Sequence, residues 1–312
     1  MNRRNLSSID LEELRPEVAP GPTAAINSLC LQLLTDRDQS DVLAFLAERP
    51  LYTVVMAGHI RDNGIESFFN RGRFHACRDE AGTLEGVALI GHATLIEART
   101  EAALAAFARV AQTCPEAHLI MGEQEKIERF WGYYAKVGQS PRRVCREMLL
   151  EQRWPVEARE PVEGLRLATA DDLEHVMFIQ GQMAFAESGI NPQDVDPWGF
   201  RIRCARRIAQ GRVWVWVEDG RLLFKADVIS ETPEVIYLEG VHVNAQERSK
   251  GYGARCMSQL AQTLLARTGS LCILVNEQSE RARAFFERLG FKLRSSYDTV
   301  FLEHPAGNAS IA

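Results

Sequence analysis

The chain has 312 residues, 46% of them hydrophobic, which is enough for two domains that each bury a core. A formal charge of −6 argues against non-specific nucleic-acid binding. No apolar run approaches the roughly 18 residues of a membrane span, and Met1-Asn2-Arg3-Arg4 leads into an acidic segment where a signal peptide would have its apolar core. These features predict a cytoplasmic protein with no nucleic-acid or membrane partner. The seven cysteines lack C-x-x-C spacing and fit reduced, mostly buried thiols. The seven histidines show no ligand spacing, so no metal site is expected.

Residues 1–27, with prolines around Arg15-Pro16 and Pro20-Gly21-Pro22, read as an N-terminal arm. A first domain is expected over 28–151. Asp36 to Glu48 has a helical pattern, Tyr52 to Met56 is apolar, and Phe74 to Cys77 with Leu84 to Ile90 suggests a hairpin across Asp79-Glu80-Ala81-Gly82. A strand at Ala93 to Ile96, a helix from Thr100 to Gln112, a strand at His118 to Met121, a helix from Glu125 to Val137 and a strand at Val144 to Leu150 follow. The proline-bearing, charged stretch 152–163 reads as a linker.

A second domain is expected over 164–303, with 304–312 as a tail. Gly164 to Ala168 reads as a strand, Asp171-Asp172 opens a helix that runs from Leu173 to about Ala186, and a second helix spans Trp198 to Ala209. Arg212 to Glu218 and Arg221 to Ile229 flank the hairpin signal Asp219-Gly220. Val235 to Val243 is the next strand, Gly253 to Ala266 a helix, Leu271 to Asn276 a strand and Ser279 to Leu289 a helix stopped at Gly290. Phe291 to Leu293 and Thr299 to Leu302 are read as two short strands that close this sheet. The order of elements repeats that of the first half, and Tyr133-Tyr134-Ala135-Lys136-Val137-Gly138 matches Phe285-Phe286-Glu287-Arg288-Leu289-Gly290 in spacing.

Between strand and helix, residues 243–254 form a basic, glycine-bearing loop, an arrangement that binds phosphate through unpaired backbone N–H groups and the helix dipole. It lacks the Gly-Lys-Ser/Thr of a nucleotide-hydrolase P-loop and the third glycine of a dinucleotide fold. What remains is Arg-x-x-Gly-x-Gly at Arg248, Gly251 and Gly253. That pattern resembles the acetyl-coenzyme A loop of the GNAT superfamily of N-acetyltransferases, as does the order of elements around it. The resemblance implies an α/β (α+β) chain of two GNAT-like domains, each a mixed, mostly antiparallel central sheet flanked by helices. Where the loop falls in the first half, Ile96-Glu97-Ala98-Arg99-Thr100-Glu101-Ala102 has no glycine and two carboxylates. The first domain is therefore read as a degenerate copy without a cofactor site.

The resemblance also implies roles. Arg248, Ser249, Lys250, Gly251, Tyr252, Gly253 and Ala254 hold the pyrophosphate of acetyl-CoA, the backbone of Val241, His242 and Val243 pairs with the pantetheine arm, and Asn276 bonds that arm. Arg281 and Arg283 reach the 3′-phosphate or the adenine. Phe286 lies among the cofactor-binding residues, where it fills the position of the family's usual acid tyrosine and leaves Tyr237, Tyr252 or Tyr297 as substitutes, while Tyr134 is a packing residue. Strand alternation places residues 237, 239, 241 and 243 on one face, with His242 on the other. Glu239 on that face is the expected general base, assisted by Tyr237, whose position often carries the acid in the family. The implied activity is acyl transfer from acetyl-CoA to a primary amine, a small molecule or a peptide, by direct attack. The alternative is a non-catalytic acyl-CoA-binding or scaffold protein. Acceptor and oligomeric state stay open.

Overall fold

The computed structural model describes residues 29–156 and 160–303. The expected arm and tail, and residues 157–159 of the linker, lie outside the described residues. Internal packing divides the described chain into two units, 29–147 with 296–303, and 148–295.

The first unit runs β1 Cys30–Leu33, α1 Gln39–Ala47, α2 Pro50–Asn63, β2 Gly72–Arg78, β3 Leu84–Gly91, β4 Ala93–Ala98, α3 Glu101–Ala111, β5 Leu119–Glu123, α4 Gln124–Tyr134 and β6 Pro141–Gln152. The apolar run at Tyr52 is part of α2, which Pro50 starts at a position where its missing N–H costs nothing. Strands β1 to β4 pair antiparallel in sequence order, and β4 runs parallel to β5. Alternation along β3 sends Val87 and Leu89 into a core with Val42, Leu46 and Ile60 of α1 and α2. Ala88 and Ile90 go to a second core with Phe107, Phe130 and Trp131 of α3 and α4.

The second unit runs β7 Leu165–Leu167, α5 Leu173–Ser188, α6 Pro192–Val195, α7 Pro197–Ala209, β8 Val213–Glu218, β9 Arg221–Glu231, β10 Val235–Val243, α8 Tyr252–Leu265, β11 Ser270–Asn276, α9 Glu280–Arg288 and β12 Lys292–Leu302. Its sheet is antiparallel through β10, and β10 runs parallel to β11. Helices α8 and α9 pack on one face through Cys256, Met257, Leu260 and Phe286. Both units are thus mixed, mostly antiparallel sheets flanked by helices.

One expectation about the end of the chain is corrected. The two short strands are a single strand, β12, and its second half pairs with β5 in the first unit, from Tyr297 opposite Glu123 to Phe301 opposite Leu119. Val300 and Leu302 lie in the first unit's core, while Met148 and Leu150 of β6 lie in the second unit's core. Each sheet is therefore completed by chain from the other repeat.

The start of α5 is fixed by side chains. Thr169 and Asp172 form a reciprocal capping box, and Arg166 grips Asp172 through both oxygens at 2.6 and 2.9 Å. Hydrogen bonds from Arg166, then from Thr169, hold the Asp172 carboxyl down to about 2. A carboxyl depressed in the folded state contributes stability above its unfolded value near 3.9, and that stability is lost as pH falls toward 2. Asp172→Ala is expected to cost about 1 kcal/mol at neutral pH. Urea midpoints of the two proteins should converge between pH 4 and 2, and a gap that stays constant over that range would assign the loss to something other than the carboxylate.

Candidate functional site

Strands β10 and β11 pair over only four residues, Val235–Leu238 against Ser270–Ile273, and then separate. On its other edge β10 carries a bulge, since Glu239 lies opposite Asp227 and His242 opposite Lys225, three residues against two. Gly240 sits in that bulge at φ +62°, and a Cβ there would fall 2.8 Å from Lys225 Nζ and 3.2 Å from Asp227 Oδ2. Only glycine satisfies both the backbone and the space. The extra residue reverses the alternation. Ile236 and Leu238 enter the core, and after the bulge it is Val241 and Val243 that pack against that same core. The expected sharing of one face by 237, 239, 241 and 243 is therefore wrong, and so is the placement of His242 on the opposite face. Tyr237, Glu239 and His242 face the side occupied by Lys225 and Asp227.

That side holds a cluster the sequence reading missed. Lys225 is 0% and Asp227 1% exposed. The Lys225 ammonium donates to Asp227 Oδ2 at 2.8 Å and to Gln180 Oε1 of α5 at 2.9 Å, and Arg207 Nη1 of α7 donates to the same Asp227 oxygen at 3.1 Å. Asp227 Oδ1 is buried and, among the described residues, has no hydrogen-bond partner. Glu239 stands across from it in register. Burial raises the Glu239 carboxyl above the ordinary value; Arg207 and Lys225 and a hydrogen bond with Tyr237 pull it down, and Asp227 pushes it up. Burial, with Arg248 and Lys225 adding, depresses His242 to about 4, so its imidazole is neutral at pH 7. The signal for the cluster was the alternation of Lys225 and Asp227 inside the apolar run Leu222 to Val228.

The loop after β10 opens with Asn244, whose side chain accepts the Gln246 N–H, and a short turn at Ala245–Glu247. Ser249 at φ 69° and Gly251 at φ 84° then curl the backbone into α8. Among the described residues, none of the seven backbone N–H groups from Arg248 to Ala254 has a protein partner. Loops of this kind form anion-binding concavities, and here the helix N-terminus adds its dipole. Gly253 lets α8 lie on β10, because a Cβ would meet Val243 Cγ2 at 2.9 Å. Arg248 Nε donates to the Val243 carbonyl at 3.1 Å, and Lys250 pairs with Glu247 at 2.8 Å. Tyr252 lies edge-on to Trp216.

The remaining expected residues separate. Asn276 ends β11, and its Oδ1 accepts the Gln278 N–H at 2.9 Å, which leaves its amide N–H groups as donors. Arg281 lies in the first turn of α9; Arg283 pairs with Glu287 along the helix surface at 2.9 Å. Phe286 is 5% exposed and packs edge-on to Phe285 and Phe291 in the second unit's core. Tyr297 pairs with Glu123 of β5 and belongs to the first unit. Tyr134 is 1% exposed and its hydroxyl accepts the Gln139 N–H, a packing role as expected.

The first unit repeats the strand separation and fills it. β4 and β5 pair only over Ala93–Leu95 and Leu119–Met121. Beyond that point Arg49 bonds Glu97 at 3.0 Å and Glu123 at 2.8 Å, and Lys126 bonds Glu97 at 2.8 Å and Glu123 at 3.3 Å. The connection to α3 is two residues long. Arg99 N–H bonds Glu85, and Thr100 caps the helix with its own side chain.

This geometry agrees with what the chain is similar to. Residues 182–291 match the acetyltransferase (GNAT) family, so the second unit carries a GNAT domain. A Drosophila protein of solved structure superposes over 88% of this chain and 98% of its own with a TM-score of 0.66 at 11% identity. A GNAT-family acetyltransferase from Colwellia psychrerythraea covers 88% and 100% with a TM-score of 0.55 at 11% identity. A tandem GNAT protein from the clavulanic acid biosynthesis pathway covers 89% and 100% with a TM-score of 0.55 at 13% identity. No curated protein matches the chain. The fold is that of a tandem GNAT protein.

Removing one member of a buried ion pair strands the other charge. Asp227→Asn is expected to destabilise the second unit by about 3 kcal/mol, read as a lower urea midpoint, because among the described residues Lys225 has only Gln180 as a further side-chain partner. An unchanged midpoint would show that the cluster is solvated and not buried as described.

Proposed function

We propose that the second unit is an acetyl-CoA-dependent N-acetyltransferase acting on a primary amine of a small molecule or peptide, in the cytoplasm. The observation that carries this reading is the run of seven unpartnered N–H groups at residues 248–254, set where β10 leaves β11. The residues fit the cosubstrate: loop and helix N-terminus suit a pyrophosphate, and Arg248 and Lys250 add positive charge. Asn276 and the free edge of β10 at Val241, His242 and Val243 suit the amides of pantetheine. Among the described residues no helix is long and apolar enough to cross a membrane.

Acetyl-CoA supplies an activated acyl group on a thiol leaving group, and the protein has to deliver a neutral amine to it. Glu239 is the base in this reading. Its carboxyl, raised by burial, accepts a proton from the acceptor's ammonium, and Tyr237 orients it through their hydrogen bond. His242, neutral and of depressed basicity, is a poor competitor for that proton. With Phe286 in the core, no hydroxyl stands at the usual acid position. A thiol of ordinary acidity, near 8.5, leaves without one at reduced rate. That same observation favours the second reading, a protein that binds acyl-CoA without turning it over. The first unit, with its separation filled by side chains, is read as a copy without cofactor.

Calorimetric titration with acetyl-CoA tests the site. Wild type is expected to bind one equivalent, and Gly251→Glu, which adds a carboxylate and a side chain at φ 84°, to bind none. No binding to wild type ends the enzyme reading, and retained binding in the variant moves the site elsewhere. Glu239→Gln should lower kcat by about 10²-fold with acetyl-CoA affinity unchanged. In wild type the rate should rise with pH through an apparent value above the ordinary carboxylate range, as Glu239 loses its proton. Binding without turnover of any amine would select the second reading.

A further inference from the structure

Arg207 is the cation of the cluster that reaches solvent. Its side chain is 29% exposed, against 0% for Lys225 and 1% for Asp227. Its guanidinium spends Nη1 on Asp227 Oδ2, and that oxygen already accepts from Lys225. Among the described residues the remaining donors of Arg207, on Nε and Nη2, have no protein partner. A guanidinium offers its donors as a planar fork matched to a carboxylate.

The fork stands beside the proposed base. Arg207 is 3.1 Å from Asp227, and Asp227 is the cross-strand partner of Glu239, which puts their Cβ atoms about 5 Å apart. Charge argues the same way. With Glu239 ionised, Arg207 and Lys225 balance Asp227 and Glu239. Once Glu239 has taken the acceptor's proton, the group carries one uncompensated positive charge, and Arg207 is the more exposed of its two cations.

We propose that Arg207 binds a carboxylate of the acceptor, and that the acceptor is therefore an amino acid or another small amine bearing a carboxylate within a few bonds of its nitrogen. This rests on the transferase reading with Glu239 as base. A lysine side chain within a peptide has no anion so close to its amine and fits the arrangement less well. Arg207 is a specificity residue in this account; its charge also favours ionised Glu239, but it carries no proton itself.

The test compares matched acceptors on the full chain. Free-thiol release from acetyl-CoA is followed with a panel of amino acids and, for each, the corresponding carboxamide and decarboxylated amine, while acetyl-CoA affinity is measured in parallel by calorimetry. Wild type is expected to favour acids over amides by about 10- to 100-fold in kcat/KM. Arg207→Gln is expected to raise KM for the acids by a similar factor and so abolish the preference for acids over amides, leave acetyl-CoA affinity unchanged, and move the pH–rate limb to higher pH for acids and amides alike, because Arg207 favours the ionised form of Glu239; Arg207→Lys should recover part of both losses. The wild-type comparison decides the matter even if a variant fails to fold. Equal rates for acids and amides, or activity confined to amines without a carboxylate, would overturn the inference and leave the transferase standing. Acetyl-CoA binding with no amino acid acetylated would also overturn it, and absence of acetyl-CoA binding would overturn the transferase reading with it.

Discussion

The site in the second unit depends on β10 giving up its hydrogen bonds to β11 after four residues. A parallel pair that stayed in register would use every edge N–H and C=O of β10 in the sheet and leave none for a ligand. The bulge at Gly240 compounds the effect. It inserts one residue, bends the strand, and moves Val241 and Val243 onto the core while Glu239 and His242 take the opposite face. One glycine thus decides which side chains face Lys225 and Asp227 and which hold α8 in place.

The first repeat shows what the same architecture becomes without that opening. Its strands also part after three paired residues, yet Arg49, Glu97, Glu123 and Lys126 close the gap with four ion contacts. Glu97 is 5% exposed, and a buried carboxylate with two cationic partners is satisfied as it stands. The loop differs in kind as well. Eight residues, Asn244 to Gly251, precede α8 with their later N–H groups unpaired, whereas Arg99 and Thr100 alone precede α3 and a threonine side chain does the capping. Divergence between the repeats is concentrated in what fills the space between two strands, and the framework around it is common to both.

Most of the framework was legible in the sequence, because periodicity, hairpin residues and helix stops are local properties. Val235 to Val243 was read with its observed ends, and the Asp219-Gly220 hairpin with its flanking strands. The errors have a common cause in non-local pairing. That β12 is one strand whose second half belongs with β5 is set by partners more than 170 residues away in sequence, which no window of neighbouring residues reports. The reversal of faces in β10 was missed although Gly240, a glycine inside a strand, is the usual mark of a bulge. Of the candidate site, the loop was legible and the polar cluster was not. Gln180, Arg207, Lys225 and Asp227 come from two helices and one strand, and only Lys225 and Asp227, charged inside an apolar run, left a trace.

The cluster is hard to explain by stability. Buried ion pairs are commonly no more stabilising than apolar residues of the same size, since desolvation offsets the attraction. Lys225 and Asp227 at full burial, with one Asp227 oxygen unpaired, are an expensive way to fill a core. What they do supply is a fixed field at Glu239. Asp227 and burial favour its protonated form, Arg207, Lys225 and Tyr237 favour the ionised one, and none of these groups needs to move as the proton arrives. A base whose proton affinity is set by opposing, preorganised charges is suited to taking a proton and releasing it again at neutral pH. Under the proposed transferase reading the cluster is a device for acid–base chemistry, and Gly240 is what lets the Lys225 ammonium lie directly beneath the backbone of β10.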